Sequence, residues 1–255
     1  MLTDTHSHLY SEQLQEDLGA VMQRCFSDGV GRIFLPNIDM DSIEPMLALE
    51  NAYPDNCFAM MGLHPCSVDE NFQAVLGTIR SWWEKRNFVA VGEIGIDLYW
   101  DKTHLAEQKE AFRIQIEWAK EFARPIVIHT RDSFNEIFEI LDEVNDDKLS
   151  GIFHCFSGDL SQAEKIIEYG NFWMGIGGVL TFKNSGLSEV IEHIDLKHLV
   201  LETDSPYLAP APHRGKRNES SYVKLVAKRL AELKNVSLEE IAEITTINSK
   251  EIFGV

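Results

Sequence analysis

Eight short apolar runs recur along the whole chain, and they constrain its fold more than any other feature. Seven of them are RIFLPNI (32–38), CFAMMGLHP (57–65), FVAVGEIG (88–95), PIVIHTR (125–131), GIFHCFSG (151–158), NFWMGIGG (171–178) and HLVLETDSP (198–206). The N-terminal MLTDTHSH is the eighth. The runs are continuous rather than alternating, the pattern of parallel strands covered on both faces. Between them, residues 11–29, 40–52, 72–86, 104–122, 132–146, 159–169, 185–194 and 219–233 carry a helical period. Leu105, Phe112, Ile116 and Ala119, for example, fall mostly on one stripe. Helix starts are expected at Asp132 or Ser133 and at Ser157-Gly158-Asp159, with Gly170 just past a helix end. A last helix, 237–252, opens on Ser237 with Glu240 three residues later, a capping-box pattern. Eight strand–helix repeats in 255 residues predict an α/β protein with one domain, 1–255, folded as a TIM (β/α)8 barrel. An open doubly wound sheet is the competing architecture. Its glycine-rich phosphate turn after the first strand is missing.

Barrel active sites are built where strands end. Here the ends read His6-x-His8, Gly62-Leu63-His64-Pro65, Gly92-Glu93-Ile94-Gly95, His129, His154 and Glu202-Thr203-Asp204. Singly, each is an ordinary residue; Asp204 before Ser205-Pro206 would pass for a turn former. Together they place five of the nine histidines and several acids around one mouth. His6 and His8 are two apart, so both imidazoles leave the same strand face and can reach one ion. Glu93 and Asp204 can complete that site. A carboxylate has two oxygens and can bridge to a second ion held by His129 and His154. Hydrolytic metal pairs sit ~3.5–4 Å apart. The mixed nitrogen and oxygen shell suits zinc, manganese, iron or nickel and tolerates magnesium.

The net charge of −18 argues against a broad basic surface that coats nucleic acid. It leaves room for a cationic patch in a cleft. The four cysteines form no CxxC, which predicts reduced thiols and a cytoplasmic protein. Residues 1–20 lack a basic region of the signal-peptide kind, and no apolar run nears ~18 residues, so no membrane association is expected.

TDTHSHL, AVGEIGIDLYW, QKEAFRIQIEWAKEFARPIVIHTRDS, GIFHCFSG, LVLETDSPYLAP and RGKRNES resemble the successive motif blocks of the TatD family of metal-dependent hydrolases, in the amidohydrolase-like superfamily. The resemblance runs from residue 2 to residue 219. It implies a TIM-like barrel with one or two divalent ions (magnesium, manganese, zinc or similar) and hydrolysis of DNA, as a deoxyribonuclease and 3′→5′ exonuclease on single strands. It also implies His6, His8, Glu93 and Asp204 on the first metal and Glu93, His129 and His154 on the second. His64 would line the pocket and contact phosphate. Two positions depart from the family pattern. Tyr10 stands where an acid or Asn is common, with an effect expected on the loop only. Ser220 stands where proline is usual, which is expected to loosen the start of the following helix.

The expected chemistry is attack of a metal-activated water on phosphorus, with Asp204 as general base. Arg131, Arg214, Lys216 and Arg217 are the candidate cations for the phosphate oxygens. Glu202 is expected to orient a histidine from behind. Asp97, Tyr99 and Trp100 are placed on the substrate rim, where an aromatic ring could stack on a base. Trp82 and Trp83 are read as helix packing. The partner is DNA or another phosphate-containing substrate. Oligomeric state is left open, with a monomer favoured. Three other readings compete: a lactone or amide hydrolase, a hydrolase of an aminoacyl-tRNA or nucleotide-conjugate ester, and a metal-binding protein without catalysis.

Overall fold

The structure is a computed structural model that describes all 255 residues. Its strands are β1 (Leu2–Asp4), β2 (Val30–Leu35), β3 (Cys57–Ala59), β4 (Val91–Asp97), β5 (Ile126–Arg131), β6 (Gly151–Phe153), β7 (Phe172–Ile176) and β8 (Leu199–Leu201). Two helices, α1 (Glu12–Gln15) and α2 (Leu18–Ser27), follow β1. One helix follows each later strand: α3 (Ile43–Ala52), α4 (Phe72–Lys85), α5 (Leu105–Phe122), α6 (Phe134–Val144), α7 (Leu160–Glu168), α8 (Leu187–Glu192) and α9 (Val223–Lys234). The last element is α10 (Leu238–Phe253).

All strand pairs are parallel, β1 to β3 in order and β4 to β8 in order. Backbone bonds cross both remaining seams. Between β3 and β4, Val89 N–H donates to Ala59 O (3.2 Å), Met61 N–H to Ala90 O (3.1 Å) and Gly92 N–H to Met61 O (3.3 Å). Between β8 and β1, Thr5 N–H donates to Leu201 O and Asp204 N–H to His6 O, both at 2.9 Å, and Ser7 bridges Ser205. The architecture is the TIM barrel expected from the alternating runs.

The continuous apolar runs are explained by burial on both faces. Ile33, Leu35, Ile126, Ile128, Leu199 and Leu201 join the large core under the helices. Phe34, Val127 and Val200, one residue out of step, belong to a separate cluster with Met60, Ala90, Ile152 and Trp173. That cluster fills the barrel interior. Ile252 and Phe253 at the end of α10 join it, and Phe253 stacks on Phe34 with ring centroids 4.0 Å apart. The C-terminal helix therefore plugs one end of the barrel, and the other end is left for the site.

Several expected boundaries shift. The predicted helix 11–29 is two helices, because Asp17 leaves helical geometry and its carboxylate takes the Arg217 guanidinium at 2.7 and 2.8 Å. The regular strands stop at Leu35, Ala59, Phe153 and Leu201, short of the polar ends of their runs. There the backbone turns to side-chain partners: Cys155 N–H donates to Glu202 Oε1 (2.6 Å) and Thr203 N–H to Asp4 Oδ1 (2.9 Å). The predicted helix 185–194 is regular only over Leu187–Glu192, entered through Gly186 at φ 71°.

Caps explain the better-placed ends. Asp159 and Gln162 form a reciprocal capping box, and Ser237 Oγ accepts from Glu240 N–H at 3.1 Å. Gly170 follows α7 at φ 89°. Ser133 precedes α6 but does not cap it; its hydroxyl donates to Ile96 O at 2.6 Å. Ser220 corrects the expectation of a loosened helix start. It is fully buried in a 3-10 turn, Ser220–Tyr222, and its hydroxyl lies 3.0 Å from Ser7 Oγ. Trp83 is buried and stacks on Phe122 at 4.5 Å, in keeping with helix packing.

Candidate metal centre

Glu93 is the hub. It lies inside β4 and is 2% exposed, so its charge needs partners within the protein. Oε2 lies 3.0 Å from His6 Nε2 and 3.6 Å from His8 Nε2. Oε1 lies 2.8 Å from His129 Nδ1, 3.4 Å from His64 Nε2 and 3.7 Å from His154 Nε2. Burial alone would raise its pKa, but the imidazoles outweigh burial and hold it well below the ordinary carboxylate value. Asp204 Oδ1 stands 3.5 Å from His8 Nε2 and 3.9 Å from both His6 and His154 Nε2. Its φ of 56° is a left-handed conformation that Asp tolerates better than most residues. The donors form two groups that share one carboxylate.

For two of the histidines, His8 and His64, the tautomer follows from the outer partner. Tyr10 gives its single hydroxyl proton to Pro36 O, which can only accept. Tyr10 Oη, 2.9 Å from His8 Nδ1, must then accept from that nitrogen. His8 therefore carries its proton on Nδ1 and turns a bare Nε2 lone pair towards Glu93 and Asp204. This corrects the expectation that Tyr10 affects only its loop. His64 is the opposite case. Its Nδ1 accepts from Cys66 N–H at 3.0 Å, so Nε2 carries the proton and points an N–H into the site. Such a group suits an anionic oxygen better than a cation. His6 is fully buried, and its ring stacks on His154 at a centroid distance of 3.4 Å. Burial, helped by the charge on His154, lowers its pKa and favours the neutral, lone-pair form. His154 is held from behind by Glu202, whose Oε1 lies 2.9 Å from Nδ1 without hydrogen-bond alignment. Burial opposes charge on His154, but Glu202 and Glu93 lift its pKa to about 10. Gly175 makes room for Glu202: a Cβ there would lie 2.0 Å from Glu202 Oε2.

Asp97 has a larger part than its place on the rim implied. Oδ2 lies 2.8 Å from His129 Nε2, and Oδ1 accepts from Tyr99 N–H (2.9 Å) and Trp100 N–H (3.2 Å). The signal was present in GEIGID, since Glu93, Gly95 and Asp97 share a strand face at period two. Gly95 between them sits at φ 142°, where a Cβ would lie 2.1 Å from His129 O. A carboxylate behind a ligating histidine fixes the ring and raises its basicity. Asp97→Asn is therefore expected to weaken metal affinity at the His129 side by about 10–100-fold. Metal titration by calorimetry would show one of two binding steps weakened; two unchanged steps would exclude the role.

His8, His64, Glu93, Asp97, His129, His154 and Asp204 line a cavity of about 660 Å³, with Trp100, Arg131 and Tyr207 among its other walls. Arg131 is its single Lys or Arg. The guanidinium stacks 3.8 Å from the Tyr99 ring centroid and makes no ion pair. Arg214 and Lys216 are not in the lining; Arg214 sits 4.3 Å over the Phe182 ring. Arg217 is turned away to Asp17. The structure thus brings together His6, His8, His64, Glu93, His129, Arg131, His154, Glu202 and Asp204, and leaves the basic loop outside. The donor set fits divalent cations. Imidazole nitrogens and carboxylate oxygens converge, the Nε2 atoms of His6 and His8 are 3.3 Å apart, and His6 Nδ1 and Glu202 Oε2 are buried without partners.

A barrel with imidazoles and carboxylates gathered round one buried glutamate at its open end defines a metal-dependent hydrolase. The sequence profile of the family described as TatD related DNase matches residues 3–254. The chain belongs to that family. It is 41% identical over 256 residues to the uncharacterized metal-dependent hydrolase YabD of Bacillus subtilis, with 100% of both chains covered. The solved structure of YjjV, a TatD homolog from Escherichia coli, superposes with a TM-score of 0.93 at 30% identity, over 100% of this chain and 98% of that one. The Escherichia coli phosphotriesterase homology protein shares the fold, with a TM-score of 0.73 at 16% identity over 99% and 98% of the two chains. No helix is long and apolar enough to cross a membrane.

Proposed function

We propose that this chain hydrolyses phosphodiester bonds in short or single-stranded DNA, using two divalent ions that share Glu93. The observation that carries the reading is Arg131. It is the single Lys or Arg on a cavity wall otherwise rich in carboxylates, and it has no acid of its own. An unpaired guanidinium there suits an anionic substrate, and its planar fork suits phosphate. The N–H of His64 supplies a second donor for the same group. A 3′→5′ exonuclease mode rests on the TatD resemblance.

His6, His8, Glu93 and Asp204 would hold one ion, and Glu93, His129 and His154 the other. When bound, divalent ions lower the pKa of water and neutralise charge on the phosphate. The protein groups do the rest. Asp204, kept ionised by the neighbouring imidazoles, with the charge on His154 among them, against the effect of burial, accepts the proton of the attacking water. Arg131 and His64 hold the non-bridging oxygens and turn the phosphorus towards that water. Glu202 and Asp97 keep His154 and His129 in register.

The test is a substrate panel with added Mg²⁺, Mn²⁺ or Zn²⁺: single-stranded and duplex oligodeoxynucleotides, lactones, amides and an aminoacyl ester. Release of mononucleotides from single strands, inhibited by salt and weak on long duplex, is expected from the charge of −18. Cleavage confined to lactones, amides or the aminoacyl ester would replace this reading.

A further inference from the structure

We infer that Trp100 is a stacking platform for the nucleobase next to the phosphate being hydrolysed. The inference rests on the phosphodiester reading and names the part of the substrate that gives it specificity. Trp100 is 70% exposed, whereas Trp83, Trp118 and Trp173 are buried. An indole left in water at a cavity wall is an unfilled apolar surface.

Its position is controlled. It lies just beyond β4, the strand that carries Glu93. One oxygen of Asp97 holds the Trp100 and Tyr99 backbone, and the other meets His129. The loop under the indole is thereby tied to the metal centre through one short side chain. Tyr99 is already engaged. Arg131 covers it at 3.8 Å, and Trp100 meets it edge-on at 4.9 Å and 89°. Trp100 lines the cavity and Tyr99 does not. Arg131 lies within 5.3 Å of the Trp100 ring centroid, so a phosphate-reading cation and an exposed aromatic face are neighbours. Tyr207 and Leu208, both partly exposed, add apolar lining to the same cavity.

A planar ring joined through a sugar to a phosphate matches this order of surfaces. The ring must be free of its own neighbours to stack, which selects strand ends and single strands over duplex interiors. Purines, with the larger face, are expected to be favoured over pyrimidines.

The experiment compares binding of dAMP and of 2-deoxyribose 5-phosphate to the Mn²⁺-loaded protein by calorimetry. Wild type is expected to bind dAMP about ten-fold more tightly. Trp100→Ala should remove that preference while deoxyribose phosphate binding stays as it was, and Trp100→Phe should keep part of it. An unchanged melting curve confirms that Trp100→Ala folds. Equal affinity for the two ligands in wild type, or a preference that survives Trp100→Ala, would overturn the platform. A preference for dAMP without cleavage of any phosphodiester would leave the platform standing and count against the hydrolytic reading alone.

Discussion

Asp204→Asn is expected to lower kcat for phosphodiester cleavage by about 10²–10⁴-fold, the range that a positioned proton acceptor supplies. Asn keeps the side chain's size and one carbonyl oxygen, so much of the donor geometry around His8 is retained. It cannot hold a proton taken from water. Asp204 is also the donor most open to the cavity after His129, at 14% side-chain exposure against 2% for Glu93 and none for His6. A water or substrate in the cavity would meet it directly. KM should change less than kcat, because the lost interaction belongs to the transition state. Steady-state kinetics beside the measured metal content would decide the matter. A variant that keeps both its metal and a kcat within ten-fold of wild type would remove Asp204 from the base role.

Glu93→Gln is expected to act earlier, on the metal itself. Both carboxylate oxygens are committed, Oε2 to the His6 and His8 side and Oε1 to the His129 and His154 side. An amide offers one oxygen and no charge, so at least one side meets an N–H₂ group where a donor lone pair is needed. A fall of at least about 100-fold in metal affinity is expected, beyond what a partner behind a ligand contributes. Both binding steps should suffer, unlike Asp97→Asn, which touches one. Metal content after dialysis, measured by mass spectrometry, checks this. Full retention of metal by the glutamine variant would show that Glu93 does not bridge.

Much of this arrangement is legible in the chain because parallel strands leave a strong mark. Ile126-Val127-Ile128 must be apolar throughout, since Val127 faces the barrel interior and its neighbours face the helices. His-x-His, Glu93, His129, His154 and Asp204 then fall at the ends of such runs, and a ring of ends becomes a site. The rest depends on contacts between distant residues. Nothing near Arg217 shows that Asp17 will hold it, so a basic loop beside the mouth resembled a phosphate clamp. Ser220 looked like a weakened helix start because its partner, Ser7, lies at the other end of the chain. Tyr10 is two residues from His8 and could have been read as its orienting group. What settles the tautomer is Pro36 O, which local sequence does not reveal.

The seam between β8 and β1 has one more consequence. Thr5, His6 and Ser7 are bonded to Leu201, Asp204 and Ser205, and those same segments carry the candidate metal donors His6, His8 and Asp204. An ion held by these three groups would span the junction between the first and last strands of the barrel. Its binding free energy would then add to the stability of the closed ring. A depleted protein would loosen first along that junction, where the first and last strands meet.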